Sequence, residues 1–306
     1  MKNNFSIIIL SAFFQVLGIF FITFMILHLL PGDPVQVMLG ESAAIADQEK
    51  LRVELGLDQP IYKQMINSFV QVMQGDFGNS ILTRTPIKER LISAMQNTYM
   101  LAIFALSIAL FFGIIGGIFS AKYKDTILDK IITNLSLFFI SIPHFFLGPL
   151  LMLFFSIWLG WLPVSGMDSP FSIVLPAFTL ALGMLAIVIK MTRNCMIEIM
   201  NSDVVRTARA KGMTEWAITI HYVFRLVLIP LITIIGMQFG SLLSGAVITE
   251  TLFSWNGLGM LLVNSIQMRD YPITQACIFV IAISYVFVNL VTEIFYKLVD
   301  PRMRGG

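Results

Sequence analysis

The chain has 306 residues, of which 57% are hydrophobic and only 12% carry a charge, and its formal net charge is +2. Soluble domains contain about 25% charged residues, so this composition excludes a soluble domain and indicates an integral membrane protein. The basic residues are scattered, which argues against nucleic-acid binding, and the two distant cysteines, Cys195 and Cys277, form no C-x-x-C pair that would indicate a disulfide framework or a metal cluster.

Six apolar runs are long enough to cross a bilayer, because a spanning helix needs about 20 mostly apolar residues. They are Phe5–Leu30, Thr98–Ala121, Ile131–Leu159, Ile173–Met191, Leu226–Ile248 and Ala276–Leu298. The first run far exceeds the apolar core of about 7–15 residues in a signal peptide, and no small-residue cleavage site follows it. The sequence therefore predicts an all-α polytopic membrane protein with six spans, the first of them retained.

The Lys and Arg residues predict the orientation of these spans. If the N-terminus is inside, the cytoplasmic side holds Lys2, Lys122, Lys124, Lys130, Lys190, Arg193, Arg206, Arg209, Lys211, Arg225, Lys297, Arg302 and Arg304. Almost all the other cations lie in residues 31–97, and segments longer than about 60 residues translocate largely regardless of charge. We therefore predict that both termini are cytoplasmic.

The segment 31–97 is polar enough to be a folded insert on the outer side. "LPGDP" ends the first span with two prolines and a glycine. "AIADQEKLRVELG" and "DQPIYKQMINSFVQVMQGDFG" each predict a short helix, stopped by Gly56 and Gly75 respectively. Such amphipathic pieces either pack on the membrane surface and the spans or provide a docking surface for an outside partner.

Pro143 and His144 fall near the middle of the third predicted span, where a proline frees a backbone carbonyl and permits a kink. His144 either donates a hydrogen bond to a neighbouring helix or lines a substrate path. With Gly245 and Glu250 of the fifth span, these two residues are the candidate path. Glu250 and Glu293 lie near the ends of their spans, which favours solvation or pairing over ion transport.

Glycines in two spans predict close packing between helices, since a residue without a side chain lets backbones approach. They are Gly113, Gly116 and Gly117 in the second span and Gly236, Gly240 and Gly245 in the fifth.

The stretch "DVVRTARAKGMTEW", residues 203–216, is a basic cytoplasmic segment between the fourth and fifth spans. Asn201 to Asp203 form an N-cap cluster, Val204 to Ala210 suit a helix, and Gly212 is a natural stop before a second helix. We call residues 203–216 the elbow. Its Val204, Ala208 and Lys211 fall on one side, where small residues allow close approach by another protein. The alternative is an anchor lying on anionic headgroups.

"DVVRTARAKG", followed by "LIP" at Leu228–Pro230, resembles the EAA loop of ABC importer permeases, above all the branch that imports dipeptides, oligopeptides and nickel. "LPGDPV", "LGLDQPIYKQ", "GDFGNS", "SIPHFFLG", "LPA", "GLG", "RDYPI" and "DPRMR" match that branch in order along nearly the whole chain. Arg206 replaces the glutamate that names the loop, and Asn97 and Asn256 stand where prolines are usual. The replacement at Arg206 is common in this branch, whereas the two asparagines are departures from its pattern at the outer ends of the spans.

The resemblance implies a type I ABC importer permease fold, with 1–97 as the first span plus an outer insert and 98–306 as a five-helix core. The coupling loop covers about 194–225. In that family the loop forms coupling helices in a cleft of a cytoplasmic ATPase. That role carries over to Asp203, Arg206, Thr207, Ala208, Arg209, Ala210, Lys211 and Gly212.

The implied partners are a second permease subunit, two ATP-binding subunits that use ATP and magnesium, an extracytoplasmic solute-binding protein and membrane lipid. The implied location is the bacterial plasma (inner) membrane. The chain contains no Walker A loop, no H-E-x-x-H and no G-x-S-x-G. The resemblance therefore predicts a subunit without cofactor, metal or catalytic site, whose ATPase is another chain.

A short peptide is the expected substrate, and nickel or a metal chelate is the alternative within the same branch. The methionines are spread along the chain, and His28, His144 and His221 are assigned to three different levels, so they cannot form one site. From other classes, an ion-coupled secondary transporter would show an inverted repeat and central ionisable residues. An intramembrane enzyme would show paired aspartates, a Ser/His pair or metal ligands inside the spans.

Overall fold

The computed structural model describes residues 2–29, 35, 39, 44–54 and 56–299. Within this part of the chain the structure is almost entirely helical, with only an isolated antiparallel bridge between Asn79 and Pro86, so the all-α prediction is confirmed. The α-helices in these residues are α1 (Lys2–Leu29), α2 (Ile45–Glu54), α3 (Ile61–Met73), α4 (Ile87–Lys122), α5 (Ile127–Ser141), α6 (His144–Leu151), α7 (Val174–Met200), α8 (Asp203–Ala210), α9 (Glu215–Ile218), α10 (Arg225–Leu252), α11 (Leu258–Gln267) and α12 (Tyr271–Val299). Short π-helices, Met152–Trp158 and Thr219–Phe224, and a 3₁₀ turn, Pro170–Ile173, join some of them.

In the described residues, three helical stretches are long and apolar enough to cross a membrane unbroken: Ile87–Lys122, Pro170–Met200 and Tyr271–Phe295. Two further apolar stretches, Ile127–Ser141 with Phe145–Trp158 and Glu215–Leu228 with Pro230–Gly240, contain a bend, and each can count as one span. These five stretches overlap the second to sixth predicted spans. Helix α1 overlaps the first up to residue 29 and has a shorter apolar part at residues 10–25. The count of six and the side of each terminus stay predictions.

The third predicted span is broken at Pro143, whereas the sequence predicted only a kink. Helix α5 ends at Ser141, and α6 begins at His144 after a bend of 112°. Ile142 has the extended backbone, φ −90° and ψ 121°, that a residue before proline prefers. That conformation stops the first helix, and Pro143 then stands at the N-cap of the next, where its missing N–H costs no hydrogen bond.

One compact unit comprises Tyr99–Trp255 and the described residues from Phe287 onward. Its core joins apolar faces of α4, α7 and α10 with the inner side of α8. Helices α4 and α7 approach closely at Gly117, where an added Cβ would lie 2.5 Å from Cβ of Thr192 and 2.9 Å from the carbonyl oxygen of Ile189. Gly113 meets Val188 in the same way one turn earlier, so the predicted close packing at these two glycines is confirmed.

The second compact unit comprises the described residues of Lys2–Thr98 together with Asn256–Val286. Ile87 and Leu91 of α4 pack with Leu258, Ile273 and Cys277 in its core. The unit boundary after residue 98 lies beside the predicted boundary at 97. Residues 256–286, however, pack with the N-terminal part rather than with the remainder of the predicted core. The proposed division into 1–97 and 98–306 stays a prediction.

Two departures from the family pattern meet inside this second unit. The side-chain amide of Asn97 donates to the backbone oxygen of Asn256 at 2.8 Å, and the N–H of Leu258 donates to Oγ1 of Thr98 at 2.8 Å. The two asparagines, noted separately in the sequence, therefore form one hydrogen-bonded connection between α4 and the start of α11.

Candidate functional site

The elbow begins where the sequence predicted. Ser202 is the N-cap of α8, with extended backbone at φ −76° and ψ 159°, and its carbonyl accepts the N–H of Arg206 at 3.1 Å. The Ser202 hydroxyl donates back to the carbonyl of Ile199 at 2.6 Å instead of capping α8. Asp203 in the first turn places a negative charge at the positive end of the helix dipole, which favours the start there.

Helix α8 ends in a glycine turn, also as predicted. Gly212 has φ +77°, a left-handed conformation that glycine adopts without steric cost. Its N–H donates to the carbonyl of Arg209 at 2.9 Å, and the N–H of Met213 donates to the carbonyl of Ala208 at 3.3 Å. These two bonds form a Schellman motif, which satisfies carbonyls that the helix end leaves free. The backbone geometry of the turn therefore favours glycine at position 212.

A side-chain pair joins the two helices of the elbow across this turn. Arg209 binds Glu215 through both ends of its guanidinium, with Nε to Oε1 at 2.7 Å and Nη2 to Oε2 at 3.1 Å. Thr214 caps α9 by accepting the N–H of Ala217 at 3.3 Å. The hydrogen bonds from Arg209 lower the pKa of Glu215. Because both side chains are exposed, the pair fixes geometry more than it adds stability.

The inner face of the elbow differs from the predicted one. Val205 and Ala208 are buried, at 0% and 3% exposure, against the core that includes Met196 and Ile218. The prediction that Ala208 shares an outward face with Val204 and Lys211 is therefore wrong. Positions 205 and 208 are one turn apart and face the core together, so the small side chain of Ala208 lets α8 lie close to its own chain.

The outer face of the elbow holds most of the predicted coupling residues. Exposed there are Asp203, Val204, Arg206, Thr207, Arg209, Ala210, Lys211, Gly212 and Trp216. Arg206 is almost free in solvent, at 77% exposure, with Asp203 at 3.7 Å. Trp216, at 75% exposure, was not singled out in the sequence, although an aromatic residue inside a polar loop was the available signal. An exposed tryptophan in a segment that also carries several cations suits contact with another protein.

The candidate path residues lie on α6 and α10 or directly before them. Pro143 is exposed and precedes α6, and the side chain of His144 lies outside the described part of the structure. Gly245 is half-buried in α10, where an added Cβ would touch Leu180 at 3.6 Å. Helix α6 approaches the end of α10 at Gly148, whose Cβ would stand 3.3 Å from the Phe253 ring. This contact brings the two helices together.

Glu250 is not solvated, contrary to the expectation for the end of a span. It is fully buried, at 0% exposure, near the end of α10, and its carbonyl accepts the N–H of Trp255 at 2.8 Å. Phe253 and Trp255, which follow closely in the chain, are buried as well, at 1% and 2% exposure. Of the two predicted alternatives, pairing inside the protein is the one compatible with this burial.

A buried ion pair escaped the sequence prediction. Asp129 in the first turn of α5 is 3% exposed and binds Nε and Nη2 of Arg193 on α7, both at 2.7 Å. It also accepts the hydroxyl of Ser120 at 2.5 Å and the N–H of Asp125 at 2.9 Å. The sequence analysis counted Arg193 only as a loop cation. Residues 64 positions apart give no local signal of pairing, so only the fold shows that this carboxylate joins α4, α5 and α7.

Comparison with known proteins agrees with this architecture. A family model described as "Binding-protein-dependent transport system inner membrane component" matches residues 113–305. A second model, for the N-terminal part of such membrane components, matches residues 5–87. The glutathione transport system permease protein GsiC of Escherichia coli (strain K12) is 38% identical over 283 residues, which is 92% of each chain. GsiC of Salmonella typhimurium shows the same identity and coverage.

Solved structures show the same fold at lower identity. A chain of the inward-facing MetNI methionine ABC transporter matches with a TM-score of 0.60 and 15% identity, over 69% of this chain and 96% of that one. A chain of an amino acid ABC transporter determined with histidines matches with a TM-score of 0.51 and 18% identity, over 70% and 94%. The chain belongs to the family of inner-membrane permease components of binding-protein-dependent ABC transport systems.

Proposed function

We propose that this permease is one of two membrane subunits of an ATP-driven importer for short peptides, which an extracytoplasmic binding protein delivers. The observation that carries the substrate class is the 38% identity, over 92% of both chains, to a permease named for glutathione transport. Glutathione is a tripeptide, so a relative of that similarity supports a small peptide rather than a bare ion.

The proposed assembly contains a second permease, two ATP-binding subunits and a solute-binding protein. The family description already implies ATPase and binding-protein partners, because it is a component of a binding-protein-dependent system. In our proposal the ATPase subunits hold ATP and magnesium and supply the free energy. This chain provides two arrangements of its spans that differ little in energy, and nucleotide binding by the partners selects between them.

The elbow is the proposed contact with the ATPase. Its outer face exposes Arg206, Arg209 and Lys211 together with Thr207, Ala210 and Trp216. Its inner face, Val205 and Ala208, packs into the core of the chain's own spans. A movement imposed on the outer face by a partner is therefore transmitted to α7 and α10, which share that core. In this proposal both termini lie on the cytoplasmic side with the elbow.

Uptake by the complete importer tests the substrate. The four membrane and ATPase subunits are reconstituted in vesicles with the cognate binding protein, and ATP-dependent uptake of labelled dipeptide, tripeptide, oligopeptide and nickel is compared. We expect peptide accumulation and competition by unlabelled peptides. Accumulation of nickel without any response to peptides would assign the alternative, a metal or metal-chelate importer.

A His144→Ala variant sharpens this distinction. We expect at least partial peptide uptake in this variant, because no metal–imidazole bond is lost with a peptide substrate. A loss of nickel transport with unchanged assembly would instead point to an imidazole that the substrate needs. Co-purification with the ATPase subunits is the control that the variant still assembles.

A further inference from the structure

Helix α3 has three distinct sides, although none of its residues is fully buried. On the packed side, Gln64, Met65, Ser68, Phe69 and Val72 are half-buried. The Phe69 ring stands edge-on to Phe20 of α1, with ring centroids 5.2 Å apart. The side-chain amide of Gln275 on α12 donates to the hydroxyl of Ser68 at 3.4 Å. Helix α3 therefore lies against two of the apolar helices within one compact unit.

The second side is an exposed apolar stripe. Tyr62, Ile66, Val70 and Met73 are exposed by 58%, 53%, 45% and 61%. Their spacing of four, four and three residues places them above one another on one face of the helix. Exposing four large apolar side chains in a row to water is unfavourable. We therefore expect lipid or protein to contact this stripe.

The third side is polar and also exposed. Lys63, Asn67, Gln71 and Gln74 each follow a residue of the apolar stripe by one position. Since an α-helix advances roughly 100° per residue, this polar stripe lies about a quarter turn around the helix from the apolar one. The exposed half of the helix, opposite the packed side, is therefore apolar on one side and polar on the other. Helices that lie in a membrane–water boundary divide their surface in this way.

The contacts on the packed side place α3 at that boundary. Gln275 directly precedes the predicted span Ala276–Leu298, and Phe20 lies inside the predicted span Phe5–Leu30. Leu17 and Phe21, near Phe20 in the α1 sequence, are exposed by 39% and 46%, so the helix against which α3 packs also exposes apolar side chains of the kind that face lipid.

We propose that α3 is a lipid-contacting boundary helix. Its stripe of Tyr62, Ile66, Val70 and Met73 lies in the acyl region of the outer leaflet, and its stripe of Lys63, Asn67, Gln71 and Gln74 lies in water. The helix thereby anchors the segment between the first two spans along the bilayer, whatever solute the importer carries. This inference goes beyond the proposed function and does not depend on the substrate.

Spin-label accessibility tests the proposal on the assembled importer. Cys195 and Cys277 are replaced, single cysteines are introduced at 66, 70, 67 and 71, and each variant is labelled with a nitroxide. The importer is then placed in vesicles of phosphatidylethanolamine and phosphatidylglycerol. Collision with oxygen, which concentrates in lipid, is compared with collision with nickel-EDDA, which stays in water. Asn67 and Gln71 are the matched controls for Ile66 and Val70, because they are their neighbours on the same helix and are exposed as well.

We expect the ratio of oxygen to nickel-EDDA collisions to be several-fold higher at 66 and 70 than at 67 and 71. We also expect it to stay unchanged when the binding protein is added. Equal, water-like ratios at all four positions would overturn the proposal. So would low accessibility to both reagents at 66 and 70, which would show a protein subunit on the stripe. Immobilisation of those labels only on adding the binding protein would assign the stripe to that partner instead. Co-purification of the ATPase subunits shows that each labelled variant is assembled.

Discussion

At the scale of single residues, the carboxylate of Asp129 is buried and depends on the geometry of its hydrogen-bond partners. It is only 3% exposed, accepts hydrogen bonds from two nitrogens of one guanidinium, and joins three helices. A planar guanidinium can bind both carboxylate oxygens at once, whereas an ammonium group cannot. The arrangement therefore specifies arginine, and not only a positive charge, at position 193.

We predict that Arg193→Ala lowers the free energy of unfolding by about 2–4 kcal/mol, because it leaves a buried carboxylate without its counter-charge. Arg193→Lys should recover only part of the loss. The double variant Asp129→Ala/Arg193→Ala should be less destabilised than Arg193→Ala alone, since no charge is then left uncompensated.

The measurement for this pair is thermal unfolding of the purified protein in detergent. Lys190→Ala is the matched control, since Lys190 is an exposed cation one turn earlier on α7, and its loss should change stability by less than about 0.5 kcal/mol. Equal effects of Lys190→Ala and Arg193→Ala would show that the ion pair contributes nothing specific.

Gly212 permits a second prediction at this scale. An added Cβ at this position meets no atom within 4 Å, so the only obstacle to another residue is the left-handed backbone. That conformation costs an L-residue about 1–2 kcal/mol, which is small beside a total stability of about 5–15 kcal/mol. Gly212→Val should therefore reach the membrane but distort the turn, so that uptake falls while ATP hydrolysis by the partners continues. Asparagine tolerates the left-handed region, so Gly212→Asn should retain most uptake.

Uptake and ATP hydrolysis are measured on the same vesicles for both Gly212 variants. Normal uptake by the valine variant would exclude a coupling role for the geometry of this turn. Equal loss in both variants would assign the defect to the added side chain and not to the backbone conformation.

At the scale of helices, composition and periodicity predicted the type of each element, because long apolar runs and glycine stops are local signals. The ends of the elbow helix, at Ser202 and Gly212, are confirmed for this reason. Which face of α8 points inward was not predictable in the same way. Its eight residues include small side chains on several faces, and the core that covers Ala208 comes from distant helices. The sequence showed a proline at position 143 and so predicted a kink there. The angle of the bend depends on how α6 packs, which is not a local signal.

Helices α4 and α7 lie so close at Gly117 that a larger residue there should destabilise the protein. Gly117→Ala would force a Cβ against Thr192 and the backbone oxygen of Ile189, and because backbone cannot give way, the two helices must separate. We expect a loss of about 1–3 kcal/mol, typical of overpacking, and a lower yield of folded protein.

Gly18→Ala is the matched control for this test. Gly18 also lies inside a long apolar helix, but an added Cβ there meets nothing within 4 Å, so the change should be neutral or slightly stabilising. Thermal unfolding in detergent measures both variants, and equal stability of the two would show that α4 and α7 can move apart without cost.

At the scale of the whole molecule, the all-helical class and the family follow from the order of motifs, and the comparisons confirm both. The count of six spans rests on the apolar runs and the side of the termini on loop charge, because hydropathy alone does not tell which end of a span faces the cytoplasm. Long-range pairs such as Asn97 with Asn256 could not be predicted, since they depend on which helix ends meet in space.

Cysteine labelling checks this topology. In a variant without Cys195 and Cys277, we expect an impermeant maleimide to label Lys63→Cys in intact cells and to label Lys124→Cys only after permeabilisation. Both lysines are exposed, so failure to label reflects sidedness and not burial. Labelling at position 124 in intact cells would contradict the predicted orientation of the spans. Arg302, also predicted to be cytoplasmic, lies outside the described residues and can be tested in the same way.

The ion pair between Arg209 and Glu215 makes the elbow stiffer. Two short helices joined by a glycine could fold and unfold about their turn, and force applied to one would then be absorbed as bending. The bidentate pair, the capped start of α9 and the two backbone bonds at Gly212 remove that freedom. If an ATPase subunit moves the outer face, as we propose, we expect the elbow to shift as one body and to deform little. In that proposal the flexible part of the importer is the set of spans, and the elbow passes the movement on without bending.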